Sequence, residues 1–157
     1  MFGNCETIYF VQSRGFGKTW LTAICCLAMA VLYPGSLIAV ISGTAEQATL
    51  VLKKIDDYFV RNPDILREID ANGKNPVTLS RSKGICRMKN GSKIESYSIG
   101  TFRGNRAKVI VIDEAPEVKK EIWRQLQNLS GIRQEITACN LAFQTMRQKW
   151  YRLLPHV

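Results

Sequence analysis

The residues best suited to chemistry fall in two places. Ser13-Arg14-Gly15-Phe16-Gly17-Lys18-Thr19 forms one group, and Asp113-Glu114 follows the apolar tetrad Val109-Ile110-Val111-Ile112. A glycine-bearing loop that ends in Gly-Lys-Thr is suited to phosphate. Its backbone amides and a following helix N-terminus donate to the anion, the lysine reaches the β- and γ-phosphates, and the threonine hydroxyl meets Mg2+. The full phosphate-loop pattern asks for a first glycine where Gln12 stands, so the match is partial and rests on its surroundings. A chance Gly-Lys-Thr in a loop is the competing reading. In a parallel sheet, an acid pair closing a strand emerges at the carboxyl edge where ligands bind. Asp113 is then placed to hold Mg2+ together with Thr19, and Glu114 to orient and deprotonate an attacking water. Two acids at a strand end also serve as a helix N-cap, which competes here. Arg14 within the loop and Arg103 ahead of Asp113 are both candidates for stabilising charge on a transferred phosphoryl group, and the sequence does not choose between them.

These residues need elements that hold them. Thr7 to Val11 is β-branched and aromatic and leads into the glycine loop, after which the pattern predicts a helix from Lys18 to about Leu32. Leu37 to Ile41 is a continuous apolar run of the kind found in strands covered on both faces. A helix from Thr44 to Phe59 opens with Thr44 and Gln47 in capping-box spacing, and Asn62-Pro63 interrupts it. Three short strands follow, Val77 to Ser80, Gly84 to Met88 and Ile94 to Ser98, with Asn90-Gly91 as a hairpin turn between the last two. They read as an antiparallel insertion. Val109 to Ile112 is the most strand-like tetrad in the chain and leads through Pro116 into a helix carrying Ile122, Leu126 and Leu129. The stretch from Ile132 to Leu153 has an amphipathic helical stripe that either covers the sheet or meets a partner, although Glu135 to Phe143 also fits a strand. Strands alternating with helices predict an α/β architecture, a P-loop NTPase three-layer fold with a mostly parallel sheet and a short antiparallel insertion.

Composition narrows the function further. The chain has 157 residues, 46% of them hydrophobic, which suits one domain with a buried core. A formal net charge of +9 favours a polyanionic partner, although a basic surface that is merely solvated fits equally well. The five cysteines include no CxxC pair, which argues against a disulfide framework or zinc. His156 is the only histidine, which sets aside His-based metal sites and Ser-His or Cys-His nucleophiles. The apolar run from Trp20 to Val31 is too short to span a bilayer, and no leader pattern opens the chain. A cytoplasmic setting without membrane association is expected.

The loop from Ser13 to Thr19 resembles the deviant Walker A motif of phage DNA-packaging terminase large subunits, in which Ser-Arg, two variable residues and Gly-Lys-Thr replace the glycine-first form. Phe102 to Lys108 and the following Val109 to Ala115 look like the Arg-Gly-Asn segment and Walker B strand of the same motors. The resemblance covers roughly Thr7 to Val118. It implies an N-terminal ATPase domain, truncated here to a single incomplete unit over residues 1–157, in which hydrolysis of Mg-ATP moves double-stranded DNA into a procapsid. By the same resemblance, residues 13–19 bind nucleotide, Thr19 and Asp113 hold Mg2+, and Lys18, Glu114 and Arg14 are the catalytic set. Arg14 would sense the γ-phosphate. The implied partners are double-stranded DNA, the portal, the small terminase subunit and further copies in a homo-oligomeric ring, all in the host cytoplasm. The family's upstream adenine-contacting segment, its coupling motif after Walker B and its nuclease domain have no counterpart in these residues. A remnant that binds nucleotide or DNA without turnover is therefore the main alternative. A helicase-type ATPase is a further one.

Overall fold

The computed structural model describes residues 15–69, 76–102 and 107–113. In chain order the elements are α1 (Lys18–Leu32), β1 (Leu37–Ser42), α2 (Ala45–Arg61), α3 (Pro63–Ile69), β2 (Val77–Leu79), β3 (Gly84–Arg87), β4 (Lys93–Ser98) and β5 (Val109–Ile112). The strands form one sheet in the order β2-β3-β4-β1-β5. β1 runs parallel to both β4 and β5, while β2, β3 and β4 pair antiparallel through hairpins.

The central position of β1 follows from its composition. Leu37–Ser42 presents apolar groups to both sides, so only a strand covered on both faces can use it. Alternation sends Ile38 and Val40 to one face and Ala39 and Ile41 to the other. Val109 and Val111 of β5 join the first pair, and Ile110 and Ile112 the second. The first face carries the larger core. There Ala23, Cys26, Leu27 and Ala30 of α1 meet Val51, Leu52, Ile55 and Phe59 of α2 over Ile38, Val40 and Ile94. The second face is closed in part by Phe102 and Ala107, which flank the connection into β5, and the Tyr97 and Phe102 rings meet edge to face at 5.1 Å.

α1 carries apolar residues around most of its circumference, so it packs on both the sheet and α2. The Trp20 ring meets Tyr58 of α2 edge-on at 5.6 Å. Its far end is held by the β3–β4 turn: the Asn90 side-chain amide donates to the Ala30 carbonyl at 2.8 Å, and the Gly35 N–H donates to the Asn90 carbonyl at 3.1 Å. α2 begins as its sequence predicts. The Gln47 N–H donates to the Thr44 hydroxyl at 3.2 Å, and the Thr44 N–H donates to the Gln47 side chain at 3.1 Å. Removing the hydroxyl leaves a helix N–H without its partner. Thr44→Ala is accordingly expected to cost about 1 kcal/mol, read as a lower urea midpoint at unchanged slope.

Two expectations change. Lys93–Ser98 is not part of a separate insertion, because β4 lies against β1 in parallel register from Leu37↔Lys93 to Ser42↔Ser98. The antiparallel hairpins extend the main sheet from that strand. Asn62-Pro63 does end α2, but Pro63 also opens α3 at the first helical position, where its missing N–H costs nothing. The expected strand over Thr7 to Val11, and the helical stretches beyond Pro116, lie outside the described residues.

Candidate nucleotide site

α1 has 15 residues and β1 has six, so at about 1.5 and 3.3 Å per residue they are of similar length, roughly 20 Å. A tight turn over residues 33–36 joins them, with the Tyr33 N–H donating to the Met29 carbonyl at 2.9 Å and the Ser36 hydroxyl to the Tyr33 carbonyl at 2.6 Å. α1 therefore runs back along the strand that follows it. Its N-terminus reaches the carboxyl edge of the parallel strands.

At that N-terminus Gly17 caps the helix in the left-handed region, at φ 76° and ψ 22°, and Gly15 also has a positive φ of 83°. Among the described residues no side chain caps the helix, and no acidic residue sits in its first turn. The α1 N-terminus, the positive end of the helix dipole, thus suits an anionic ligand. A Cβ built on Gly15 or Gly17 meets no described residue within 4 Å. Phe16 between them is 75% exposed. Lys18 and Thr19 are half-buried in the opening turn.

Asp113 closes β5 at the same edge. Its N–H donates to the Ile41 carbonyl at 2.8 Å, which extends the parallel ladder one residue past Ile112. Alternation after Val109 and Val111 places Asp113 on the face that α1 covers, and the residue is only 9% exposed. Ser42, fully buried, follows Ile38 and Val40 onto that face, and its hydroxyl donates to the Gln47 side chain at 3.3 Å. The structure thus brings Gly15, Phe16, Gly17, Lys18, Thr19 and Asp113 to one edge and one face of the sheet. Ser13, Arg14, Arg103 and Glu114 lie outside the described residues.

Nothing in the sequence marks Ser42 and Gln47 as part of this edge, and Gln47 reads there only as half of the capping box. The structure shows that the cap of α2 also fixes the rim beside Asp113. The available signal was the abrupt change from an apolar strand to Ser42-Gly43 immediately before the capping box.

Comparison with protein-family models matches residues 9–144 to the terminase large subunit, T4likevirus-type, N-terminal family. The chain belongs to this terminase family. Comparison with curated protein sequences gave no match. Solved terminase structures share the fold at low sequence identity. The ATPase domain of the Thermus phage P74-26 large terminase has a TM-score of 0.63 at 16% identity, over 87% of this chain and 60% of that one. The bacteriophage HK97 large terminase has a TM-score of 0.69 at 18% identity, over 87% of this chain and 29% of that one. The large terminase of a thermophilic bacteriophage, solved with ADP, has a TM-score of 0.64 at 12% identity, over 88% of this chain and 34% of that one. The terminase chain described here therefore spans less than two thirds of these relatives. Its mixed sheet with helices is the α/β fold of terminase ATPase domains, as the sequence predicts. Among the described residues, no helix is long and apolar enough to cross a membrane.

Proposed function

We propose that this chain is the Mg-ATP-binding and hydrolysing motor domain of a terminase large subunit, forming one P-loop ATPase unit over residues 1–157 and powering entry of double-stranded DNA into a procapsid. The observation that carries this reading is the α1 N-terminus, entered through two positive-φ glycines, on the same sheet edge and face as the nearly buried Asp113. Backbone amides of residues 13–19 would cradle the phosphates, with Lys18 on the β- and γ-phosphates and Arg14 facing charge that builds on the γ-phosphate. A threonine hydroxyl and one carboxylate are hard oxygen donors suited to Mg2+, which takes only one or two protein ligands when phosphates supply others. Thr19 and Asp113 fit that role. When bound, the ion would supply charge neutralisation between the phosphates. Glu114 would orient the attacking water and accept its proton. The nucleotide seen with a related terminase supports ATP as ligand. Double-stranded DNA, the portal, the small terminase subunit and a homo-oligomeric ring are the proposed partners, in the cytoplasm of the host.

The second reading is a remnant that binds nucleotide without turnover. Mg-ATP binding and steady-state hydrolysis of wild type and Glu114→Gln, with and without double-stranded DNA, separate the two. The motor reading expects unchanged binding and a turnover loss of roughly a hundredfold or more in Glu114→Gln, the range for removing a general base. Wild-type turnover no higher than that of Glu114→Gln would leave only the remnant.

A further inference from the structure

The basic charge of the chain is not spread evenly over the sheet. Residues 76–98 carry five cations, Arg81, Lys83, Arg87, Lys89 and Lys93, against the single carboxylate of Glu95. Three of them, Arg87, Lys89 and Lys93, gather at the β3–β4 hairpin, and all three are exposed. Arg87 and Lys93 are directly paired across the antiparallel ladder. Like charges facing each other in this way destabilise a sheet. Among the described residues no carboxylate forms an ion pair with any of the three.

The nearest carboxylate along the strand is otherwise engaged. Glu95 shares the face of Lys93 but accepts a hydrogen bond from the Tyr97 hydroxyl, and burial together with that bond holds the Tyr97 phenol above its usual pKa. Asp57 lies on α2 behind the sheet and pairs with Lys54 at 3.2 Å. A fourth cation, the half-buried Lys108, stands at the same edge. Lys93 sits beside Leu37, and the Lys108 N–H donates to the Leu37 carbonyl from the other side at 2.8 Å. The backbones of Lys93 and Lys108 thus flank β1 about 10 Å apart, two strand spacings. Lys108 also lies over the Tyr33 ring, 5.1 Å from its centre. The row marks the amino edge of the parallel strands, opposite to Asp113.

We infer that this edge, Arg87, Lys89, Lys93 and Lys108, is a docking surface for the phosphate backbone of double-stranded DNA. A duplex presents one negative charge per about 1.7 Å of its axis, enough to engage such a row and to relieve the Arg87–Lys93 repulsion. The duplex is favoured over a single strand because single-strand surfaces present exposed aromatic rings for base stacking. Among the described aromatic side chains only Phe16 is exposed, and it lies at the opposite edge. The choice of DNA as the polyanion rests on the proposed motor function, whereas the location rests on charge and register alone.

The test is fluorescence anisotropy with a short labelled duplex across a salt series. It compares wild type, the double variant Arg87→Gln with Lys93→Gln, and the charge-preserving swap Arg87→Lys with Lys93→Arg. The double variant is expected to bind more weakly, with the slope of log K against log salt shallower by about 2, the effect of losing two phosphate contacts. The swap should keep the wild-type slope. Both variants should keep the wild-type melting temperature or raise it, since the exchanged side chains are exposed. DNA-free ATP turnover should not change, which separates this surface from the nucleotide site: a chain without turnover can still pass this test. The assignment is overturned if wild type does not bind the duplex, if the double variant keeps wild-type affinity and slope, or if a single strand binds more tightly and loses equally.

Discussion

Replacing Lys18 with alanine is expected to lower Mg-ATP turnover by about a hundred- to a thousandfold, the range for removing one preorganised donor to developing charge, and to weaken nucleotide binding alongside. Lys18 opens α1 directly after the left-handed Gly17, at the edge where Asp113 ends β5. A lysine there can contribute a full positive charge next to the helix N-terminus, and no other described side chain of the loop can replace it. Alanine is the best helix former, and Lys18 is only half-buried, so the fold should remain. The measurement is nucleotide affinity by calorimetry together with steady-state hydrolysis, checked against an unchanged thermal melt. Wild-type affinity in the alanine variant would remove Lys18 from the site. A lowered melting temperature with no nucleotide effect would assign it a purely structural role.

The largest stability effect is expected from Phe59→Ala, at about 3–5 kcal/mol. Phe59 is 1% exposed in the last part of α2 and is the largest fully buried side chain among the described residues. Its ring meets Tyr58 at a centroid distance of 6.3 Å, and Tyr58 in turn holds Trp20 at the start of α1. Truncation therefore opens a void in the core shared by α1, α2 and the sheet, and close packing leaves few neighbours free to fill it. Domains are typically stable by only about 5–15 kcal/mol, so the variant should be near the limit of folding. Urea denaturation of the variant beside Val60→Ala provides the check. Val60 is 72% exposed, and its truncation should change stability by less than about 0.5 kcal/mol. Equal effects at the two positions would contradict the packing described for α2.

The elements that the sequence located best are those whose local pattern and tertiary role agree. Lys18–Leu32, Val109–Ile112 and the capping box at Thr44 have the ends their residues predict. The loop glycines and Asp113 were legible for the same reason, since a turn of special backbone geometry and a charge ending an apolar strand stand out locally. The pairing of β4 was not. Lys93, Glu95 and Tyr97 give that strand one polar face, which looks like a peripheral hairpin, whereas its parallel bond to β1 depends on residues more than fifty positions away. α3 was missed because Asn62-Pro63 signals both an end and a beginning, and only the packing of Leu66 and Ile69 against the core decides for the second helix. The rim formed by Ser42 and Gln47 is likewise a product of two elements meeting.

The glycines of the loop also carry a consequence for sequence tolerance. Among the described residues there is room for a methyl group beside Gly15 and Gly17, yet their φ angles of 83° and 76° belong to a region that L-residues enter at a cost of roughly 1–2 kcal/mol each. The restriction is one of handedness rather than volume. A D-alanine would enter either position without strain, and the mirror-image L-alanine, of identical size, would not. Ordinary substitution can therefore change the shape of this loop more easily than it can fill the space beside it.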